Sequence, residues 1–320
     1  MRFCVLLLSL FISLPVGWAA PRVVVSIKPI HSLVFGVMKG VGEPELLMAG
    51  NESPHHHSLS PSEMRTLSSA DIIIWVGPDF ETRLKKPIHS AKITHVLTLT
   101  SAPGVKLLAP RSGGLWVSHS HHHHHQEHHH ESISPDGHIW LSPNNAKAIT
   151  QAVAKTLATR DPEHAARYMA NSEEVIKKLD KLDEAIKKMI APVRHSPYLV
   201  LHDSTQYFDD HYGTLALGSL IEEPGQEPRP AHIRAIVAAL KEKKVRTLFS
   251  EPQVNSPWIQ RLCEDYQMRL GTLDYIGVDL KAGEGAYFTM MMDVAQEMVR
   301  ALGGRKSGSG IGTQGPGKNT

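Results

Sequence analysis

Asp71-Ile72-Ile73-Ile74-Trp75-Val76-Gly77-Pro78 reads as one strand and its stop. Five apolar residues in a row leave no polar face, which is the pattern of a strand covered on both sides of a parallel sheet. Gly77-Pro78 then breaks the run. Working outward, Arg22 to Ile27 is a second buried strand, Lys28-Pro29-Ile30-His31 opens a helical pattern through Val37, and Glu45 to Met48 is a further strand. Downstream, a helix from Asp79 to about Lys86 precedes a strand near Thr94 to Leu99. Strands alternating with helices predict parallel α/β architecture.

The same alternation recurs after residue 193, with strands at Tyr198 to Leu201, Leu215 to Ile221, Val245 to Phe249 and Arg269 to Leu273. Helices are expected at Thr205 to Tyr212, Ala231 to Lys243, from Ser256-Pro257, and at Ala286 to Leu302. Between the two units, Asn144 to Arg160 carries Ile149, Val153 and Leu157 on one face. Pro162 to Ile190 then runs without internal Pro or Gly, with Val175, Ile176, Leu179, Leu182, Ile186 and Met189 at helical spacing. A helix of that length is a rod of roughly 40 Å, long enough to reach from one unit to the other. The expected fold class is α/β: two lobes (20–160 and 193–302), each a mainly parallel sheet with flanking helices, joined by one long rigid helix (161–192).

Met1 to Ala20 has one early charge, Arg2, an apolar run from Phe3 through Leu14, and small residues at Gly17 and Ala19. That is the pattern of a secretory signal peptide, residues 1–19, too short and wrongly flanked for a membrane span. It directs the chain to the bacterial periplasm or an equivalent compartment. Cys4 leaves with it, so Cys263 alone remains and no internal disulfide can form. A hydrophobic content of 41% suffices for two packed cores, and no second segment is long enough to span a membrane. A net charge of +2 gives no nucleic-acid signature. Gly303 to Thr320 has little to bury and reads as a disordered tail.

What is unusual is 21 histidines. Nine stand among the twelve residues His119 to His130: His119, His121, His122, His123, His124, His125, His128, His129 and His130. The stretch 118–131 has no periodicity and reads as a solvated imidazole-rich loop, with weak accessory metal sites or a mere spacer as its two readings. An expression tag would usually be terminal and unbroken. Directly after it, Asp136-Gly137-His138-Ile139-Trp140-Leu141-Ser142-Pro143 holds one histidine still. Trp140 and Leu141 anchor in a core, and Ser142-Pro143 starts a helix with cap and first-turn proline in place.

A second cluster, Pro54-His55-His56-His57, also lies just ahead of a helix start, Ser60-Pro61-Ser62-Glu63. His56 and His57 compete with His55, and only the neighbouring proline favours the first. His202, Glu251 and Asp274 each follow a strand, and ligand sites of open parallel sheets form at the carboxyl ends of strands. A strand-end Asp is more often a cap than a ligand, and Glu251 can serve either as a ligand or as an acceptor orienting a histidine. Three imidazoles and a carboxylate suit zinc in tetrahedral geometry. No H-E-x-x-H pattern supports a zinc hydrolase.

These motifs, together with Trp75-Val76-Gly77-Pro78, Leu201-His202-Asp203, Ser250-Glu251-Pro252-Gln253 and Gly271-Thr272-Leu273-Asp274, resemble the periplasmic zinc-binding components of bacterial zinc ABC importers, the ZnuA type of the cluster A-I metal receptors. The resemblance covers Val23 to Leu302. It implies a metal cleft between the lobes, with Zn2+ held by His55, His138 and His202, with Asp274 as the candidate fourth ligand and Glu251 or water as the alternatives. It also implies a receptor, not an enzyme, that passes its ion to a membrane permease and its ATPase. A monomer is expected. Manganese-type relatives carry a carboxylate where His202 stands, which favours zinc. Some relatives carry a disulfide in the second lobe, from which the lone Cys263 departs. A zinc buffer without a transporter is the alternative reading, and a zinc hydrolase the weaker one.

Overall fold

The computed structural model describes residues 20–303 apart from 51, 118–133, 243 and 255. The expected signal peptide 1–19, the histidine tract and the expected tail from 304 onward lie outside the described residues.

The first sheet contains β1 (Val23–Val25), β2 (Glu45–Leu46), β3 (Ile72–Trp75) and β4 (His95–Thr98) in the order β2-β1-β3-β4, all parallel. Val23, Val24 and Val25 stand opposite Ile72, Ile73 and Ile74, and all six are buried. The unbroken apolar run is thus what a strand covered on both faces requires. Around the sheet lie α1 (Lys28–Met38), α2 (Pro61–Ser68), α3 (Lys85–Ser90) and α4 (Pro143–Arg160). At the start of α2, Ser60 Oγ accepts from Glu63 N while the Glu63 carboxylate accepts from Ser60 N at 2.7 Å, a complete capping box.

One expected helix is displaced. Asp79 to Glu81 form a turn on Gly77, whose carbonyl accepts from Phe80 N and Glu81 N at 3.2 and 3.0 Å, and whose N–H donates to Glu81 Oε2. The helix, α3, begins only at Lys85 after a 3-10 turn at Thr82–Leu84. Pro87 lies in its first turn, where a missing N–H costs nothing, so this proline belongs to the start of a helix and not to an end.

Helix α5 (Ala165–Ile190) runs for 26 residues, about 39 Å, and buries Tyr168, Val175, Leu179, Leu182, Ile186 and Ile190. Ile176 and Met189 sit half-buried at the margin of that stripe. The second sheet comprises β5 (Pro197–Val200), β6 (Leu215–Ser219), β7 (Thr247–Ser250) and β8 (Arg269–Thr272), parallel, in the order β6-β5-β7-β8. It carries α6 (Gln206–Tyr212), α7 (Pro230–Glu242), α8 (Pro257–Asp265) and α9 (Ala286–Leu302).

The lobes share more than a rod. Helix α9 packs on both α1 and α5, and one apolar cluster runs from Ile74 and Leu33 through Leu179 to Tyr287, Met291, Tyr198 and Phe249. Polar ties cross the same seam: Lys28 Nζ donates to the carbonyls of Gly277 and Val278, and Trp140 Nε1 to Tyr275 O at 2.8 Å. Tyr287 Oη returns a bond to Trp140 O at 2.8 Å. A second apolar cluster, with Leu199, Leu248, Ile236 and Cys263, fills the other face of the second sheet. Among the described residues no helix is long and apolar enough to cross a membrane.

Gly36 marks the tightest approach of α1 to α5, since a Cβ there would lie 2.6 Å from Val175 Cγ2. Gly36→Leu is expected to lower stability by about 1–3 kcal/mol through overpacking. The shift should be read from the urea midpoint at unchanged slope, and a second change, Val175→Ala, should recover part of it. An unshifted midpoint would contradict this packing.

Candidate metal centre

Three loops at the carboxyl ends of the strands bring three histidines together. His55 stands on the connection from β2 to α2, where Thr82 Oγ1 donates to its carbonyl at 3.1 Å. Its ring packs edge-on against Phe80, with centroids 4.6 Å apart. His138 lies in a turn made by Asp136, whose Oδ1 accepts from both the backbone N (2.9 Å) and Nδ1 (2.7 Å) of His138. Gly137 between them allows Phe80 to close in, because a Cβ there would sit 2.6 Å from that side chain. His202 follows β5, and Glu251 follows the neighbouring β7, at the point where the strand order reverses.

The three ring centroids form a triangle with sides of 5.4, 5.6 and 5.3 Å. One ligand nitrogen of each lies within 4.8 Å of the others, and this is the only such group of three or more potential ligands among the described residues. His138 and His202 are buried, and His55 is half-buried.

Hydrogen bonding fixes how two of these rings present themselves. His202 Nδ1 is bonded to Glu251 Oε1, both groups being buried, and the Tyr275 hydroxyl lies 3.3 Å from the same nitrogen. An ionised carboxylate only accepts, so Nδ1 carries the proton in His138 and His202 alike. The Nε2 atom of each is buried and has no hydrogen-bond partner. In the neutral rings these atoms carry lone pairs, as where a carboxylate orients a ligating imidazole. Burial pulls the His202 imidazole toward lower pKa, but the charge and hydrogen bond of Glu251 more than reverse this and leave it above the ordinary histidine value.

The other expected site residues are engaged elsewhere. Asp274 does not join the cluster: Oδ1 accepts from Ile276 N (3.3 Å) and Gly277 N (2.7 Å), and Oδ2 from Val278 N (2.7 Å). It shapes the loop whose carbonyls receive Lys28 and Trp140, which is the capping role common for a strand-end Asp. His57 has both ring nitrogens taken by carboxylates, Nδ1 by Glu52 at 2.9 Å and Nε2 by Glu63 at 3.0 Å. His56 Nε2 lies 3.0 Å from Glu223 Oε2, half-exposed. Glu251 orients His202. The nine histidines of the tract lie outside the described residues. Sequence reasoning passed over Asp136, Phe80 and Tyr275, although an Asp two residues before a histidine is a local turn signal.

Two parallel α/β lobes on one helix, with convergent imidazoles from both at the sheet ends, define a bilobed solute-binding protein. The family described as ZnuA, "Zinc-uptake complex component A periplasmic", matches residues 23–301, and the chain belongs to that family. The high-affinity zinc uptake system protein ZnuA of Brucella abortus (strain 2308) is 36% identical over 304 residues, covering 88% of this chain and 91% of that protein. A crystal structure of ZnuA has a TM-score of 0.73 at 23% identity, covering 88% and 99% of the two chains. The periplasmic zinc binding protein TroA from Treponema pallidum has a TM-score of 0.74 at 21% identity, with the same coverage. These two structures establish the likeness of fold. The family consists of solute receptors, not enzymes.

The Glu251 bond has a direct consequence in the metal-free protein. Glu251→Gln removes the charge but leaves the burial, so the pKa of His202 should fall, as followed by NMR titration of the imidazole. An unchanged His202 titration would contradict the electrostatic role given to Glu251.

Proposed function

We propose that this chain captures Zn2+ between its lobes through His55, His138 and His202 and delivers it to an ABC importer. The observation that carries this reading is the pair of buried, unpartnered Nε2 atoms whose opposite ring nitrogens are held by carboxylates, facing a third imidazole. Imidazole nitrogens suit zinc, whereas manganese or magnesium sites draw on more oxygen. Around a tetrahedral zinc with bonds of about 2.0–2.1 Å, ligand nitrogens stand about 3.3 Å apart. From a spread of at most 4.8 Å, closure then needs shifts of no more than about 1.5 Å. Asp274 has its oxygens committed to backbone N–H groups, so we assign the fourth position to an exchangeable ligand such as water.

The further parts of the reading rest on sequence and family. Residues 1–19 act as the export signal to the periplasm, the zinc-loaded monomer docks on a membrane permease driven by its ATPase, and the histidine tract 118–131 gathers zinc at weaker sites beside the cleft. A buffer without a transporter would bind zinc equally well, and zinc-dependent binding to the permease in lipid distinguishes the two.

His55→Ala, His138→Ala and His202→Ala should each weaken the tight zinc site by more than the 10–100-fold that loss of a supporting partner typically costs. Asp274→Asn should cost less than any of them. Competition with a chelator of known strength reads both, and a larger loss in Asp274→Asn than in His202→Ala would reverse the assignment.

Zinc must displace protons from these rings. Because Glu251 raises the pKa of His202, that ring is protonated at a higher pH than an ordinary histidine. Zinc affinity should therefore decline as pH falls, beginning above the ordinary value of about 6.5. Constant affinity from about pH 7.5 to about pH 5 would contradict this.

A further inference from the structure

The segment 106–117 belongs to the first lobe by sequence but crosses to the second. At its start, Lys106 is tied to α4, with Asn145 Oδ1 accepting from its N at 2.8 Å and Asn145 Nδ2 donating to its carbonyl at 2.9 Å. At its far end, Leu115 pairs in parallel with Gly218 on the edge strand β6, Ser219 N donates to Leu115 O at 3.1 Å, and the Leu115 side chain is part of the second lobe's core. Gly218 is required there, because a Cβ would stand 2.3 Å from Leu115 O. The segment is a strap across the two lobes, separate from α5.

Arg111 sits at its middle. Its Nε lies 3.1 and 3.0 Å from the two carboxylate oxygens of Asp203, Nη2 donates to the same carboxylate, and Nη1 donates to Asp209 Oδ2 at 2.8 Å. The guanidinium carbon lies 3.8 Å from the ring centroid of Trp116, stacked on its own strap. Asp203 directly follows His202. Asp209 accepts from Tyr198 on β5, the strand that precedes His202, and from Thr205 at 2.8 Å. The strap reaches His138 as well: Leu108 N donates to Tyr207 Oη at 3.0 Å, and that hydroxyl donates to the carbonyl of Asp136 at 2.8 Å.

Two carboxylates side by side, Asp209 buried and Asp203 half-buried, repel, and a planar fork with several donors can satisfy both at once where an ammonium cannot. With the fork removed, Asp203 and Asp209 would separate or draw in water, and the backbone that carries His202 would move relative to the first lobe. We infer that Arg111 is a positioning residue for metal capture: through Asp203 and Asp209 it holds His202 at the distance from His55 and His138 at which all three close on one zinc ion. This rests on the zinc site proposed above.

The test uses the full chain loaded with one equivalent of Zn2+, with release followed by stopped-flow mixing into excess chelator. Arg111→Met should raise the release rate and the dissociation constant about tenfold, the lower end of what supporting residues of metal sites show. Association should stay unchanged, and the zinc-dependent rise in Tm should shrink accordingly. Arg111→Lys should shift the same quantities in the same direction by less. A purely structural role predicts a lower Tm of the metal-free protein with release rate and zinc-dependent increment both intact, and that result overturns the inference. If circular dichroism shows Arg111→Met unfolded, Arg111→Lys decides, and an unchanged release rate overturns the inference. His202→Ala run alongside separates the two levels: tight zinc retained in His202→Ala refutes the site, whereas tight zinc lost there but an unaltered rate in Arg111→Met refutes only the role of Arg111.

Discussion

The centre depends on two buried carboxylate–imidazole pairs, Asp136 with His138 and Glu251 with His202. A buried carboxylate without a partner is costly, and a buried imidazole without one is free to take either tautomer or to turn its ring. Pairing them removes both problems at once. Each carboxylate accepts from a proton-bearing Nδ1, and each ring is left with a buried, unpartnered Nε2, with the His55 ring 5.4 and 5.6 Å away. For the zinc site proposed above, two of the three rings are thus already oriented in the metal-free protein. Phe80 and Tyr275 complete it by packing edge-on against the rings.

Because the two pairs lie in different lobes, their alignment is a problem of lobe placement. The long helix α5 alone would allow the lobes to pivot. The structure adds α9 packed on α1 and α5, the loop shaped by Asp274 and gripped by Lys28 and Trp140, and the strap with Arg111 and Leu115. These ties lie around the site rather than in it. Asp274 and His57, which also have metal-binding chemistry, are bonded within the loops around the three clustered rings.

Local rules in the sequence carried much of this. The apolar runs at Val23, Ile72 and Tyr198 announce parallel strands, the Ser-Pro pairs announce helix starts, and strand ends followed by His202 and Glu251 announce the rim of a site. That His55, rather than His56 or His57, lies beside His138 and His202 was weakly legible, because Glu52 and Glu63 claim His57 and Glu223 faces His56. Asp274 was ambiguous for a physical reason, since a carboxylate after a strand is equally suited to a metal and to the N–H groups of the next turn, which it receives here. The strap was not legible at all. Its pairing to β6 is a single bridge between residues 115 and 218, and Arg111 finds its carboxylates more than ninety residues away, where no periodicity points.

Membership of the ZnuA family and a cleft lined by three imidazoles agree on a receptor that holds an ion tightly and gives it up intact. The central claim is that this ion sits among His55, His138 and His202 without Asp274. The most direct measurement is a crystal structure of the protein loaded with one equivalent of zinc, with anomalous data at the zinc edge. A single strong peak about 2.0–2.1 Å from one nitrogen of each of the three rings is the predicted result. A peak bonded to Asp274, or one held by the histidine tract with the cleft rings unengaged, would contradict it.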